Sequence, residues 1–174
     1  DFFTSSDYAN ALILQADGKI VAGGYSFNPS DTSNYPAGDG FALARFNPNG
    51  SLDPTFGDQG KVFTQFGADY EEIFSLALQS DGKIIAGGFT FDGVTEDRIA
   101  LARYDPDGVL DPAFGSGGMV VDSFSSETAV VRWTGLFPDG RIIVAGRAAN
   151  SNFANGLAMY LPDGTPDSTF NGTG

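Results

Sequence analysis

The sequence predicts an all-β chain built from three copies of one four-stranded antiparallel unit. A segment of about 58 residues recurs three times, and in each copy short apolar runs alternate with turn residues. Of the 174 residues, 24 are glycine and 9 are proline, which is typical of a chain that turns often. No stretch carries the 3.6-residue period of an amphipathic helix. We therefore expect one domain with almost no helix, divided into units at residues 1–60, 61–118 and 119–174.

The repeat is clearest around a tight turn. Residues 16–24 and 80–88 share an Asp-Gly-Lys turn and an apolar run that ends in Gly-Gly, and residues 138–146 repeat the pattern with Asp-Gly-Arg. Further along each copy, Asp53, Asp111 and Asp167 follow one another at steps of 58 and 56 residues. An Asp-Gly turn between apolar runs indicates a hairpin, because glycine accepts the positive φ that tight turns require.

The second copy shows the four expected strands. They cover residues 61–66, 73–79, 83–89 and 99–104. The last is followed by Asp105-Pro106-Asp107-Gly108, a turn sequence in which proline sets φ and glycine takes a left-handed conformation. Four-stranded units that recur at roughly 40 to 60 residues are typical of a β-propeller with one blade per unit.

These repeats resemble the delta-60 repeat family. The resemblance rests on the Asp-Gly-Lys-Ile turn and strand, on the Leu-Ala-Arg strand and on the Asp-Pro-x-Phe-Gly turn, and it covers all three copies. The third copy departs from the pattern at Phe137, Met159 and Asn171. The resemblance implies a β-propeller of the kind found mostly in secreted or surface proteins of bacteria, and it implies no particular chemistry.

Three blades are expected to form an open arc with two bare ends, because propellers usually need at least four blades to close. One four-stranded face measures roughly 350 Å², so two bare faces exceed the apolar patch that a monomer usually exposes. We expect a protein partner or a second copy to cover them. Two copies that close a six-bladed homodimeric ring are the simplest solution. The alternative is that the chain is a piece of a longer propeller, cut at repeat boundaries.

Composition excludes several classes of function. The chain has 9 Lys and Arg against 22 Asp and Glu, a formal charge of −13, which argues against nucleic acid as a partner. No apolar run approaches the ~20 residues of a membrane span, so we expect no membrane insertion. His and Cys are absent, which removes most catalytic dyads and nearly all zinc sites. No carboxylate stands out in an apolar setting, so we expect no catalytic residues and no enzyme.

One turn carries candidate metal ligands. Asp105, Asp107 and Asp111 place three carboxylates around a glycine bend, as calcium loops do. The first copy offers Asn47 and Asn49 at the first two of these positions. Asp and Asn also accept backbone N–H bonds in such turns without a metal. We expect a structural turn and no cofactor, with calcium at these three residues as the alternative.

The irregular parts of the repeat hold the candidate binding residues. The first copy carries a loop about six residues longer than the second, within residues 27–40, and insertions in repeat arrays often map to a binding face. The candidates in this loop are Asp31, Asn34 and Tyr35, with a plain surface insertion as the alternative. Trp133, the single tryptophan, is either a filler between blades or a platform for a glycan.

Other repeated residues are expected to be structural. Arg45 and Arg103 lie in apolar strands, where an ion pair to Asp53 or Asp111 would satisfy the guanidinium. The acidic stretch at residues 69–72 is expected at a solvated edge. The phenylalanines that recur at one repeat position are expected in the core, namely Phe56, Phe114 and Phe170.

These observations favour a non-catalytic extracellular or periplasmic module of a bacterium. It would bind protein as a scaffold or as a subunit of a larger assembly. The alternative from a different class is a lectin-like or carbohydrate-active propeller that uses acidic and aromatic loop residues, since carboxylate pairs and aromatic rings are the groups that handle sugars.

Overall fold

Every regular element in the described part of the chain is a β-strand. The computed structural model describes residues 7–27, 39–67, 70–91, 93–94, 96–124, 128–148 and 155–172. The strands are β1 (Asp7–Leu14), β2 (Ile20–Phe27), β3 (Asp39–Phe46), β4 (Lys61–Thr64), β5 (Tyr70–Leu78), β6 (Ile84–Phe91), β7 (Arg98–Tyr104), β8 (Met119–Asp122), β9 (Ala129–Leu136), β10 (Ile142–Ala148) and β11 (Asn155–Tyr160). The predicted all-β class is confirmed, and the residues described include no helix that could cross a membrane.

The strands form three antiparallel sheets in which sequence neighbours pair. The first blade is β1-β2-β3-β4, the second is β5-β6-β7-β8 and the third is β9-β10-β11. β4 and β8 begin eight residues after Asp53 and Asp111. The third sheet has three strands among the described residues. The predicted arrangement, an open set of three antiparallel blades, is confirmed.

The blades begin later than the predicted units. Residues 61–66, expected to open the second unit, instead complete the first blade, because β4 pairs with β3 from Phe41↔Thr64 to Ala44↔Lys61. β8 likewise pairs with β7 and completes the second blade. After β3 the chain turns and pairs back along β3 as β4, and after β7 it pairs back along β7 as β8. The chain crosses to the next blade only after this fourth strand. The break between the first two sheets therefore falls between Thr64 and Tyr70.

A bulge in the first strand of each blade explains the repeated glycine opposite it. The register shifts once in β1, β5 and β9. A Cβ at Gly24, Gly88 or Gly146 would lie 1.8–1.9 Å from a carbonyl oxygen of that strand, so no larger residue fits. The bulge changes which side of the sheet the following residues face. As a result Ile73 and Leu76 both pack toward the first blade.

The hydrophobic core lies between blades. β5 packs on β1, β2 and β3, and β9 packs on β5, β6 and β7. The junction of the first two blades buries Val21, Phe41, Leu43, Phe56, Ile73, Ala86, Ala102 and Tyr104. The junction of the second and third blades buries Ile85, Ile99, Leu101, Phe114, Val131, Val144, Ala158 and Tyr160. Phe56 and Phe114 are fully buried, which confirms their predicted core role, and Phe170 is half-buried.

Two leucines at the same repeat position test this architecture. Leu101 is fully buried between blades, whereas Leu157, its counterpart in the third blade, is 58% exposed. We expect Leu101→Ala to lower the free energy of unfolding by about 3 kcal/mol through lost burial and a cavity. Leu157→Ala should cost under about 1 kcal/mol, as an exposed site does.

Urea titration of dilute protein, where the monomer predominates, measures both changes. Equal losses at the two positions would contradict a core that lies between the blades.

Candidate functional site

A buried ion pair stands at the junction of the first two blades. Arg45 Nε donates to Asp53 Oδ2 at 2.7 Å, with both side chains 5% exposed, and Lys19 Nζ lies 3.1 Å from the same oxygen. The other carboxylate oxygen accepts from Thr55 N–H and Oγ1 at 3.1 and 2.7 Å. The Thr55 hydroxyl, with Lys19 and the charge of Arg45, holds the pKa of Asp53 well below its usual range. The predicted pairing of Arg45 with Asp53 is confirmed.

Arg45 also bonds across the junction. Its Nη1 donates to the carbonyl oxygen of Pro106, in the turn that follows β7 of the second blade. Its guanidinium carbon lies 4.6 Å from the centre of the Phe56 ring, within the range of a cation–π contact. One side chain therefore closes the turn of its own blade and holds the next blade.

Two neighbouring contacts join the same pair of turns. Gly57 N–H donates to the carbonyl oxygen of Asp107 at 2.7 Å. The Phe56 ring packs on Gly108, where an added Cβ would stand 2.9 Å from the ring. We call these three contacts, from Arg, Gly and Phe of one blade to the Pro-Asp-Gly turn of the next, the junction contacts.

The second and third blades repeat the same geometry. Arg103 Nε and Lys83 Nζ lie 2.8 and 2.9 Å from Asp111 Oδ2, which confirms the predicted pair. The side-chain bond from Lys83, with the Ala113 N–H and the charge of Arg103, lowers the pKa of Asp111. The junction contacts recur in full, as Arg103 to the carbonyl of Pro162, Gly115 N–H to the carbonyl of Asp163 at 2.7 Å, and Phe114 against Gly164.

The third blade lacks the arginine of the junction contacts. Met159 occupies the position of Arg45 and Arg103 and is buried. Arg141, at the position of Lys19, supplies the charge instead, with Nη1 3.4 Å from both Asp167 Oδ2 and the sulfur of Met159. Asp167 still accepts from Thr169, which lowers the pKa of the Asp167 carboxyl. The carboxylate turn is thus kept in a blade on which, within the described residues, no further blade packs.

The first blade ends the arc in an exposed apolar surface. Leu12 and Leu14 are 69% and 66% exposed, whereas Leu76, the counterpart of Leu12, packs against the first blade. Leu12 pairs with Ala22 as Leu76 pairs with Ala86, so this surface is the first-blade copy of one that the second blade buries. We call it the first end face, defined by Leu12, Leu14 and Ala22, with the buried Ala44 paired to Ala22.

The third blade ends the arc in a second apolar surface. Trp133 pairs with Ala145, which pairs with Leu157. Trp133 is 56% exposed, and its six-membered ring fills the space that a side chain at Gly135 would need. The equivalent residues of the second blade lie against the third blade. We call this surface the third end face, defined by Trp133, Ile143, Ala145 and Leu157; the buried Met159 pairs with Ile143 at its edge.

Of the four predicted binding residues, the structure describes Trp133 alone. Asp31, Asn34 and Tyr35, with the long loop that holds them, lie outside the described residues. Trp133 lies on a blade face, as expected of a filler, but among the described residues no further blade covers it.

The candidate calcium ligands do not converge. Asp105 Oδ1 accepts from Asp107 N–H and Val109 N–H, both at 2.9 Å, and Asp111 is engaged by Lys83 and Arg103. The described residues contain no group of three acidic side chains placed to hold a metal. The turn geometry matches the expected structural turn, and calcium binding stays the untested alternative.

The acidic stretch at residues 69–72 is not a solvated edge in its described part, so that expectation is wrong. Glu71 is fully buried and accepts from Phe66 N–H at 2.7 Å. Glu72 accepts from Asn10 Nδ2 at 2.9 Å, and burial raises the pKa of the Glu72 carboxyl. The reason is that β5 packs between the first and third blades, which covers Glu71 although the neighbouring Tyr70 is exposed. Asp69 lies outside the described residues.

Arg103→Met places the residue of the third blade into an internal junction. We expect it to lower the free energy of unfolding by about 3 kcal/mol, because it removes the cation of a buried pair. Arg147 makes an exposed pair with Asp97 at 3.2 Å, so Arg147→Met should cost about 1 kcal/mol or less. Chemical denaturation measures both. A loss at Arg103 no larger than at Arg147 would show that the junction does not depend on the guanidinium.

The turn carboxylates predict how stability depends on pH. Asp53, Asp111 and Asp167 have pKa values lowered in the folded state, so they stabilise the fold above the unfolded pKa of about 4. That stabilisation is lost as the pH falls toward the folded pKa. We expect a level Tm from pH 7 to about 5 and a steady fall below about 4.

Asp53→Asn should lower Tm at pH 7 and make the acid decline shallower, and Asp58→Asn is the control for removal of one exposed carboxylate. Thermal melts between pH 7 and about pH 3 measure the Tm of the wild type and of both variants. Parallel curves for wild type and Asp53→Asn would contradict a stabilising role for the Asp53 carboxylate.

Comparison with known proteins identifies the repeat. No curated protein matches the sequence. Among solved structures, the chain is similar to that of a fucose lectin from Kordia zhangzhouensis in complex with methyl-fucoside, with 14% identity over 94% of this chain and 96% of that chain and a TM-score of 0.47. A family model described as "Domain of unknown function (DUF5122) beta-propeller" matches residues 15–56, 79–114 and 138–170. Since these matches cover more than half of the sequence, the chain belongs to the DUF5122 β-propeller family.

Proposed function

We propose that the chain is a non-catalytic protein-binding module that docks through its two end faces, with a second copy as the partner. The observation that carries this proposal is that both ends of the arc expose surfaces whose repeat counterparts are buried in the internal junctions. Leu12 and Leu157 are 69% and 58% exposed, whereas Leu101, the counterpart of Leu157, is fully buried. Each end therefore corresponds to one half of a junction that the chain already makes twice.

The two end faces are complementary because they correspond to the two opposite sheet faces that pack together in each internal junction. Within the chain, the face that includes Leu101 receives the third blade, and the face that includes Leu76 packs on the first blade. The third end face of one copy is thus suited to the first end face of another. Such head-to-tail contacts close into a ring when the rotation completes a circle, and form open chains when it does not.

The surface area buried between copies favours a closed ring with two junctions rather than a complex with one junction. One junction between copies hides roughly 700 Å², two faces of roughly 350 Å² each, which is below the size of most specific interfaces. Two junctions in a six-bladed ring hide roughly 1,400 Å², within the usual range. A ring of two copies therefore has the buried area of a stable complex.

The same proposal includes a non-catalytic role for the chain and a location outside the cytoplasm. The turn carboxylates Asp53, Asp111 and Asp167 form ion pairs and turn hydrogen bonds, which supports a structural role for them. The resemblance of the repeats to the delta-60 family supports export, so we propose an extracellular or periplasmic location in a bacterium. Assignment to the delta-60 repeat itself is proposed on the same resemblance.

Self-association over a range of concentrations tests the docking proposal. We expect sedimentation velocity of the wild-type chain to show a rise toward twice 18.2 kDa. Leu14→Glu, which places a charge on the first end face, should weaken association at least tenfold, because the carboxylate would be buried without a partner. Val109→Glu is the matched control, since Val109 is 60% exposed in a turn and belongs to neither end face.

Two outcomes would overturn the proposal. One is a monomer at every concentration, and the other is an equal effect of Leu14→Glu and Val109→Glu. Glycan capture that is lost in Trp133→Ala would favour the carbohydrate-binding alternative, for which the exposed ring of Trp133 is the supporting observation.

A further inference from the structure

We infer that the first end face is an acceptor for a repeat blade that carries an arginine at the position of Arg45 and Arg103. This inference rests on the proposed docking at the end faces and specifies the blade that would bind the first end face more tightly than a second copy does. It makes the two ends of the arc unequal, because the third blade of this chain lacks that arginine.

The acceptor side of a junction is the Pro-Asp-Gly turn after the third strand of a blade. Its two carbonyl oxygens receive the arginine and a backbone N–H, at Pro106 and Asp107 in one junction and at Pro162 and Asp163 in the other. Its glycine accepts a phenylalanine ring. Both internal junctions use the same three acceptors, so the geometry is a property of the repeat.

The first blade carries the same turn, and no described residue makes the junction contacts to it. Pro48, Asn49 and Gly50 follow β3 as Pro106, Asp107 and Gly108 follow β7. Within the described part of the chain nothing lies within 4 Å of a Cβ at Gly50, although the same construction at Gly108 meets the Phe56 ring at 2.9 Å. The described residues also supply no backbone N–H to the Asn49 carbonyl. The acceptor side of a junction is therefore present in the first blade, and the described residues contain no donor blade for it.

The third end face supplies an incomplete donor. Phe170 and Asn171 stand where Phe56 and Gly57 stand, and Asn171 keeps the positive φ of 51° that Gly57 has at 53°. The ring and the N–H are thus in place. The side chain of Met159 has no N–H to donate to a proline carbonyl, and Arg141 is turned to Asp167. A second copy consequently docks without the charged hydrogen bond of the internal junctions, and an arginine-bearing blade is the better occupant.

Met159→Arg converts the third blade into the inferred partner. The new guanidinium would meet Asp167, as Arg45 meets Asp53, and would reach the Pro48 carbonyl of a neighbouring copy. We expect self-association to tighten about tenfold or more, as a charge-assisted hydrogen bond in a buried contact does. Met159→Leu is the matched control and should associate as the wild type does. Sedimentation velocity measures all three proteins.

A one-directional mixture makes the test sharper. The double variant Met159→Arg with Leu14→Glu has the donor and a blocked acceptor, so alone it should associate far less than Met159→Arg. Mixed with wild-type chain, whose first end face is intact, it should form a hetero-complex at least tenfold tighter than wild type with itself. If Met159→Arg fails to melt cooperatively, Met159→Lys replaces it, with the same direction and a smaller gain because a lysine donates from a single point.

The possible results separate this inference from the proposal beneath it. Tighter association that Leu14→Glu abolishes supports the arginine acceptor. Equal association of folded Met159→Arg, Met159→Leu and wild type overturns it, and the docking proposal then stands if Leu14→Glu still weakens wild-type association. Association that Leu14→Glu does not weaken in any background overturns the docking proposal itself.

Discussion

Burial of one sheet face against the next blade is the constraint on which the rest of this structure depends. A single four-stranded layer has two faces and no interior, so it can remove its apolar side chains from water only against a neighbour. The second blade has neighbours on both sides, and its third strand, β7, is buried at every residue except Arg98. The first strand of the first blade, β1, has no fully buried residue. Stability in this chain is therefore a property of pairs of blades.

The junction contacts give this packing a direction. Apolar faces alone would allow a blade to slide or to pack in either sense, since hydrophobic contact is not directional. Arg45 fixes the relation of two blades because its guanidinium pairs with Asp53 in its own blade and bonds Pro106 in the next. Its donors are fixed in a plane, so both partners must be in place at once. The repeat thus carries a donor side and an acceptor side, and the ends of the arc inherit this difference.

The acidity of the chain has a structural origin in the described residues. Asp residues stand at the turns because their oxygens accept backbone N–H bonds, as Asp105 does from Asp107 and Val109. Others neutralise the cations of the junctions, as Asp53 and Asp111 do. Asp105 and Asp111, two of the three candidate calcium ligands, therefore make turn and junction bonds.

The sequence by itself determined the strand class, the repeat and the partners of Arg45 and Arg103. These follow from local rules: Asp-Gly turns, alternation of apolar runs and the need of a guanidinium for a nearby carboxylate. It also placed Phe56 and Phe114 in the core, because a recurring apolar ring is buried wherever the turn of a following blade packs on it; Phe170, in the third blade, is only half-buried.

Only the tertiary structure decided where a blade begins and what lies between blades. β4 joins the first sheet because of its pairing with β3, and no local signal distinguishes the last strand of one blade from the first of the next. Glu71 was expected in water and is buried, because β5 packs between two other blades. The bond of Arg45 to Pro106 and the unequal ends of the arc were also beyond the sequence, since they depend on residues about one repeat apart that meet only when the blades stack.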